Sequence, residues 1–367
     1  MKKTLFAIIT FLASAAFTLS LVYLWLPRRQ YSAPRAKSWQ AYPFTNGEIN
    51  FPEDEGLHQE SNLESWSANF KLKTDISWYS GFLTLFKLGK QANGLLLLSL
   101  TDIDSGANVQ KFAEGEITYD PENFQLEFRG KDSQDQIKLT GNWLGPLTYQ
   151  LACNSPLATF ELMLNNQKPP LTVNRNKFVP LFIKEMAINA HYYAFSRQEA
   201  SGSLSIGGQS HLIHTVTGTS WLDHQWLNLS DQELANFNFV SSPNEWFWLQ
   251  FDNHTEAVFG QTFNQDGSVA DKYFSFVDET GNQFETAEFN LEPLAQWTAP
   301  SGKRVTVAYK LTVAEPDLKI ILQPTVENQL FSSPRGEFWQ GAIAGTGSLQ
   351  GTDHSLNFGV ARIIGNH

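Results

Sequence analysis

Apolar and aromatic residues gather in short runs between turn-forming residues, and no segment after the first thirty residues sustains the 3.6-residue period of a helix. The runs read as strands over Ser77–Lys87, Gly94–Leu100, Gly115–Tyr119, Phe124–Phe128, Gln136–Trp143, Thr148–Leu151 and Leu157–Leu164. After Pro169-Pro170 and an irregular stretch, the pattern restarts around Tyr192–Arg197. It continues through Ser203–Ile206, His211–Val216, Thr219–Trp226, Trp246–Phe251, Ala257–Phe263, Lys272–Val277, Glu285–Leu291, Val305–Val313, Leu318–Gln323, Phe338–Ile343 and Leu356–Ile363. Asp104-Ser105-Gly106, Asp120-Pro121-Glu122-Asn123 and Asp132-Ser133-Gln134-Asp135 mark turns. Lys184–Tyr193 reads as a short helix and Ser230–Asn236 as one helical turn. Many short strands at close spacing predict sandwiches or barrels. The expected division is an N-terminal β domain over 48–190 and a C-terminal one over 191–367.

Two strands stand out. In Thr219–Asn228, side chains alternate between faces, so Thr219, Trp221, Asp223 and Gln225 share one side and Ser220, Leu222, His224 and Trp226 the other. An aspartate beside a tryptophan on an enclosed face implies an acid in an apolar pocket or a polar anchor in a ligand cavity. In Trp246–Asp252 both faces are bulky, with Trp246, Trp248, Gln250 and Asp252 on one and Phe247, Leu249 and Phe251 on the other. A barrel strand lining a lumen and a two-layer core both fit.

The N-terminus changes the picture. Lys2 and Lys3 precede an uncharged run, Thr4–Leu26, long enough to span a bilayer as a helix, which takes about 20 residues. Residues 1–29 are expected to be a membrane anchor or a signal segment, and 30–47, with Pro34 and Pro43, a linker. Lysines and arginines flank both ends of the run, so charge alone leaves its orientation open. The expected location is the inner membrane with the globular part in the periplasm, or secretion to the periplasm.

Composition narrows the partners. Among 367 residues there are 28 Phe and 11 Trp, a bulky apolar inventory suited to a core or a greasy cavity. The net charge of −11 and the lack of a basic stripe argue against nucleic acid. The single cysteine, Cys153, excludes an intramolecular disulfide, and its apolar setting reads as structural. His191, His211 and His214 do not make a metal site, because His211 and His214 fall on opposite strand faces. Gly345-Thr346-Gly347 lacks the third glycine of a dinucleotide loop and no nucleophile elbow is present, so neither metal nor cofactor is expected.

Trp221-Leu222-Asp223-His224-Gln225-Trp226 resembles the W-x-D-H-E-W signature of the AttH-like and hydroxyneurosporene synthase (carotenoid 1,2-hydratase) family. Phe51–His58 resembles its F-P-x-D-x-G-x-H segment. Tyr192-Tyr193-Ala194-Phe195-Ser196-Arg197 with Gly202-Ser203-Leu204 resembles its Y-Y-S-x-x-R…G-x-L run, and Trp246-Phe247-Trp248 its aromatic strand. The resemblance implies an all-β chain of two tandem lipocalin-like β-barrels behind the N-terminal hydrophobic helix. It implies one of two functions. The first is a membrane-tethered exported protein that binds a hydrophobic lipid or isoprenoid ligand and serves an ABC transporter. The second is a carotenoid 1,2-hydratase-like hydro-lyase that adds water to an isoprenoid double bond. Gln225 in place of the signature's Glu, and Glu64-Ser65-Trp66-Ser67 in place of E-W-W-Y, favour the carrier.

Hydration of an unactivated alkene starts with protonation, which needs an acid that stays neutral near pH 7. An apolar, indole-lined pocket raises a carboxyl pKa, and an indole face stabilises a cation. On the hydratase reading Asp223 is therefore the general acid and Trp221 the cation stabiliser. His224, Trp226, Trp246, Trp248, Gln250, Tyr192, Tyr193 and His58 are the expected ligand-binding residues.

Overall fold

The computed structural model describes residues 51–365 except 92, 133, 143–146, 173–190, 208–212, 236, 239–242 and 265. The expected anchor at 4–26 and linker at 30–47 lie outside the described residues, as does His211. Among the described residues no helix is long and apolar enough to cross a membrane.

The first sheet runs β1 (Leu63–Lys73), β2 (Trp78–Leu88), β3 (Asn93–Asp102), β4 (Asn108–Asp120), β5 (Gln125–Gly130), β6 (Gln136–Asn142), β7 (Thr148–Asn154), β8 (Ala158–Asn166), β9 (Leu171–Thr172), β10 (His191–Ile206) and β11 (His214–Leu227). From β1 to β8 each strand pairs antiparallel with the next, β8 pairs with β10, and β11 pairs with both β10 and β1. Ten strands thus close into an antiparallel barrel, with β9 added along β10. Closure removes the open edges that a sheet of this size would otherwise expose.

After a short helix, α1 (Asp231–Ala235), the second sheet comprises β12 (Asn244–Phe251), β13 (Glu256–Phe263), β14 (Val269–Val277), β15 (Gln283–Thr286), β16 (Phe289–Thr298), β17 (Arg304–Val313), β18 (Leu318–Pro324), β19 (Leu330–Ser333), β20 (Gly336–Leu349) and β21 (Thr352–Ile364). Its order is β15-β14-β13-β12-β21-β20-β18-β17-β16, with β19 on β20. The all-β, two-body architecture matches the sequence expectation.

The division expected at 190/191 does not coincide with the sheets. β10 and β11 lie beyond it, yet they are the two staves that close the first barrel, so that barrel ends at Leu227. The short helix expected over Lys184–Tyr193 is contradicted at its end, since His191–Tyr193 already pair in β10.

Strand periodicity builds the first barrel's core. In β8, Ala158, Phe160, Leu162 and Leu164 point inward, while Thr159, Glu161 and Met163 face solvent. β2 and β3 are covered on both faces: Leu83, Leu85, Leu96 and Leu98 fill the barrel, and Phe82, Phe86, Leu95 and Leu97 pack on Phe331 and Phe338 of the second sheet. Cys153 is buried in the barrel core, where desolvation pushes its thiol well up. The second sheet packs around its own core of Phe247, Phe259, Phe274, Trp339 and their neighbours.

A further layer lies between the two bodies. Leu171, Tyr192, Ala194 and Trp221 from the first sheet pack on Trp246, Trp248, Val258, Tyr273, Phe358 and Val360 from the second. Gln250 reaches across, donating to the Ser196 and Ser220 carbonyls at 2.9 Å each and accepting from the Thr219 hydroxyl at 2.6 Å. A bulge in β10 between Phe195 and Gln198 inserts one residue and shifts the inward set from Tyr193 and Phe195 to Ala200 and Leu204. It also sends Arg197 toward the second sheet, where it pairs with Glu256.

Candidate active site

Three paired strands assemble a polar cluster inside the first barrel. Glu64 and Trp66 of β1 lie opposite Trp226 and His224 of β11, and Tyr193 and His191 of β10 lie opposite His224 and Trp226. Directly opposed residues in antiparallel strands share a face. Register alone therefore brings Glu64, Trp66, Tyr193, His224 and Trp226 together. The segment before β1 supplies the rest. Its 3-10 turn, Glu53–Glu55, sets Glu55 inward, and the chain then presents His58.

The hydrogen bonds form one chain. The Tyr193 hydroxyl bonds to Glu55 Oε2 and lies 3.0 Å from His224 Nδ1. His224 Nε2 is 3.0 Å from Glu64 Oε1, which is 2.7 Å from His58 Nδ1. His58 Nε2 is 3.2 Å from Asp54 Oδ1. Glu64 also accepts from the His58 backbone N–H at 3.1 and 3.2 Å and from Lys87 Nζ at 3.2 Å. Lys87 donates in addition to the carbonyls of Ser61, at 2.8 Å, and His58.

Aromatic rings enclose this network. His58 stacks on Trp226, with centroids 3.8 Å apart and planes at 7°, and His191 stacks on the same indole. Trp66 stacks on His224 at 4.6 Å, and Phe51 meets Tyr193 edge-on at 4.7 Å.

Burial and charge split the acids apart. Desolvation raises the Glu55 carboxyl to about 7, against the smaller pull of Tyr193, Tyr149 and His58. Burial acts on Glu64 as well, but its hydrogen bonds to His224 and His58 outweigh it and hold the carboxylate ionised. Burial disfavours the His58 cation, yet the Asp54 and Glu64 carboxylates overcome that and raise its pKa. Burial keeps His224 neutral. The site thus holds a neutral acid and a fixed carboxylate a few bonds apart, the arrangement by which one fold separates proton donor from charge partner.

His58 Nδ1, His224 Nε2 and a Glu64 oxygen lie within 4.8 Å of one another. In this arrangement both nitrogens are engaged with Glu64 Oε1, and the Lys87 ammonium adds positive charge beside it. The trio holds an ion-paired network.

The residues expected from sequence divide between two places. His58, Tyr193, His224 and Trp226 sit in the barrel cluster. Asp223, Trp221, Tyr192, Trp246, Trp248 and Gln250 sit in the layer between the bodies. The alternation of β11 follows the expected pattern, but the barrel interior is on the His224 side, contrary to the expectation that Asp223 faces a lumen. Asp223 is buried and raised to about 6 by desolvation, as an indole-lined acid should be. Its Oδ1 accepts from the Tyr192 hydroxyl and from Trp221 Nε1 at 2.8 Å, and the charge of buried Arg362 acts on it. Arg362 in turn sits over the Trp248 ring and donates to Gln340 at 2.9 Å. This set joins the two bodies. Glu55 and Lys87 were not singled out from the sequence. Glu55 lies inside the quoted Phe51–His58 segment, and its position before a strand that reads as loop was the available signal.

The chain is thus an all-β protein in which a closed ten-strand antiparallel barrel is joined to a second sheet and holds an acid–base cluster enclosed by aromatic rings. The sequence matches the AttH-like family over residues 42–354, and the chain belongs to that family. A crystal structure of an AttH protein from Nitrosomonas europaea aligns with a TM-score of 0.68 at 17% identity, covering 87% of this chain and 98% of its own. Kievitone hydratase from Nectria haematococca aligns at 0.62 and 11% identity, covering 90% and 95%. CghA in complex with Sch210972 aligns at 0.56 and 11% identity, covering 83% and 89%. At such identities the likeness carries the fold alone. No curated protein sequence matches the chain significantly.

Proposed function

We propose that the protein is a hydro-lyase-type enzyme that protonates a double bond of an apolar, unsaturated molecule, with Glu55 as the donor. The carrying observation is a buried carboxyl, pushed up to about 7, inside an aromatic-walled barrel. A neutral carboxylic acid can give its proton to an alkene carbon; the π pair forms the new C–H bond and leaves a cation on the adjacent carbon. An indole face stabilises such a cation by ~0.5–2 kcal/mol, and Trp66 is the indole we assign to that role. Water then forms the C–O bond and releases a proton to solvent, leaving Glu55 to be recharged. Family membership and a hydratase among the structural neighbours are consistent with this reading.

The reading replaces Asp223 by Glu55 as donor, because Asp223 is committed to the layer between the bodies. Membrane tethering through residues 4–26 and a periplasmic body remain part of the proposal, since apolar substrates partition into bilayers. The competing reading is the membrane-tethered carrier of a hydrophobic ligand, favoured by the closed form of the barrel. Its ABC transporter association has no support beyond the sequence resemblance.

The test is incubation of the full chain with a panel of isoprenoids and other polyenes in vesicles, followed by mass spectrometry. Gain of one water is expected, with Glu55→Gln slower by roughly 10²–10⁴-fold and Asp223→Asn retaining turnover. Ligands recovered bound but unchanged would establish the carrier instead. Undiminished turnover by Glu55→Gln would remove Glu55 as donor.

A further inference from the structure

Each bond of the barrel's polar chain has a direction, fixed by which groups can only donate. Glu64 receives the His58 backbone N–H at 3.1 and 3.2 Å and the Lys87 ammonium at 3.2 Å, both obligate donors. The chain therefore starts from an acceptor, a carboxylate. His58 Nδ1, at 2.7 Å, and His224 Nε2, at 3.0 Å, both face Glu64 Oε1, so each presents an N–H to it. His58 has Asp54 Oδ1 3.2 Å from its other nitrogen and is protonated on both, in keeping with a pKa raised to about 9 by the two carboxylates. His224 differs. Its other nitrogen, Nδ1, meets the Tyr193 hydroxyl at 3.0 Å, and burial keeps the ring neutral. A neutral imidazole carries one proton. With that proton on Nε2, Nδ1 is bare and accepts the Tyr193 O–H. The Tyr193 proton is then committed, and toward Glu55 Oε2 its oxygen can only accept.

We propose that the Glu64 carboxylate, acting through His224 and Tyr193, sets the polarity of this chain so that the resting site holds Glu55 as an acid, its proton on Oε2 and directed at the Tyr193 oxygen. The inference rests on the reading of Glu55 as proton donor and adds what keeps that donor loaded. The opposite polarity needs Tyr193 to donate to an ionised Glu55 and His224 to donate through both nitrogens. That would set a buried cation on His224 beside the His58 and Lys87 cations, and a buried anion on Glu55. Burial disfavours both charges. Tyr149 of β7, within the field of Tyr119 of β4, also bonds to the Glu55 carboxyl. As a donor to a lone pair of the neutral acid it leaves the polarity unchanged. In the reaction only one covalent bond to hydrogen breaks: the Glu55 proton goes to the alkene carbon, where the π pair forms the C–H bond. The Tyr193 hydroxyl then turns its own proton from His224 Nδ1 to the new carboxylate, and His224 keeps its tautomer. That turn leaves Nδ1 buried without its donor, a cost borne only by the spent state, so the chain favours return to the acid. Glu64, His224 and Tyr193 are positioning residues; none is required to touch substrate.

The polarity is testable without a substrate. Nitrogen NMR of the full chain carrying isotope-labelled histidine separates protonated from bare ring nitrogens, and the signals lost in His224→Gln assign His224. Between about pH 4 and about pH 7, His224 is expected to be neutral, with its proton on Nε2 and none on Nδ1. A proton on Nδ1, alone or together with one on Nε2, overturns the proposal. Infrared spectroscopy of the same chain reads the acid itself through the Glu55 C=O band, assigned by its loss in Glu55→Gln. In Tyr193→Phe, which keeps the ring and removes the accepting oxygen, that band is expected to move to higher frequency. Tyr192→Phe deletes a buried hydroxyl from the opposite face of β10 and is expected to leave the band in place. A band that stays at its wild-type frequency in Tyr193→Phe would show that the acid proton is not directed at Tyr193, and the proposal falls. If Tyr193→Phe does not fold, the His224 signals of the unaltered chain decide alone. Neither readout depends on turnover, so the expected tautomer with no hydration product from any polyene would sustain the polarity while the proposed reaction failed.

Discussion

Glu55 and Asp223 are both buried carboxyls raised by desolvation, to about 7 and about 6, and their surroundings separate their roles. Asp223 is bonded to two donors and lies within the field of Arg362, so its charge is used in joining the bodies. Glu55 bonds to the Tyr193 hydroxyl, which is itself part of a hydrogen-bonded chain. From the sequence, Asp223 was conspicuous because two tryptophans bracket it, and alternation correctly sorted β11 into two faces. Alternation carries no information about which face a closing barrel encloses, so the acid and the histidine exchanged their expected places. Glu55 was inconspicuous because a 3-10 turn has no two-residue period to read. Its titration has a measurable consequence. An ordinary glutamate ionises near 4.5 and folded Glu55 near 7, so between those values the folded state keeps a proton that the unfolded state has lost. Its contribution is fully present below about pH 4.5 and is lost as pH rises through about 7. A difference of this size is worth about 3 kcal/mol. Urea unfolding across this window should show wild type losing that much more stability than Glu55→Gln, other groups titrating alike in both. Parallel pH profiles would refute the assignment.

At the scale of elements, the strands most legible in the sequence were those with one wet face, such as β8. β1 went unread. Its inward residues include Glu64, and its outward ones, Ser65, Ser67 and Asn69, are polar yet buried against neighbouring structure, so the hydrophobic pattern that marks a strand was absent. The bulge in β10 was also invisible, since one inserted residue is legible only against a partner strand. The pairing of β1 with β11 is nonetheless what positions Glu64 against His224, and one glycine permits it. Gly218 of β11 lies opposite Leu72, and a Cβ there would fall 2.0 Å from the Lys71 carbonyl oxygen. Because that atom is backbone, the strands must part to accept it. Gly218→Ala is expected to cost about 1–3 kcal/mol, measured by chemical unfolding. It is also expected to quicken amide exchange in Lys71–Lys73 relative to β7 and β8. A variant as stable as wild type would mean the strands yield without strain.

For the whole molecule, sequence periodicity gave two β bodies but misplaced the seam, because the return of residues 191–227 to pair with 63–73 is a long-range event with no local signature. The consequence is mechanical. β10 and β11 belong to the first barrel, yet their outer faces carry Tyr192, Trp221, Asp223 and Arg197 into contact with the second body. An electrostatic tie between them is Glu256 of β13, fully enclosed, which accepts from Lys168 at 2.7 Å and from Arg197, both of the first body. Desolvation raises the Glu256 carboxyl even against these two cations. Replacing Glu256 by Gln leaves both cations buried without their counter-charge, an imbalance of about 3–5 kcal/mol by the cost of breaking a buried pair. That cost falls on the contact between the bodies, since Lys168 and Arg197 belong to the first and Glu256 to the second. Scanning calorimetry should therefore find one cooperative transition in wild type and two resolved transitions in Glu256→Gln, the second body and the first barrel melting separately. A single transition merely shifted to lower temperature would show that the aromatic layer and Gln250 couple the bodies without the ion cluster.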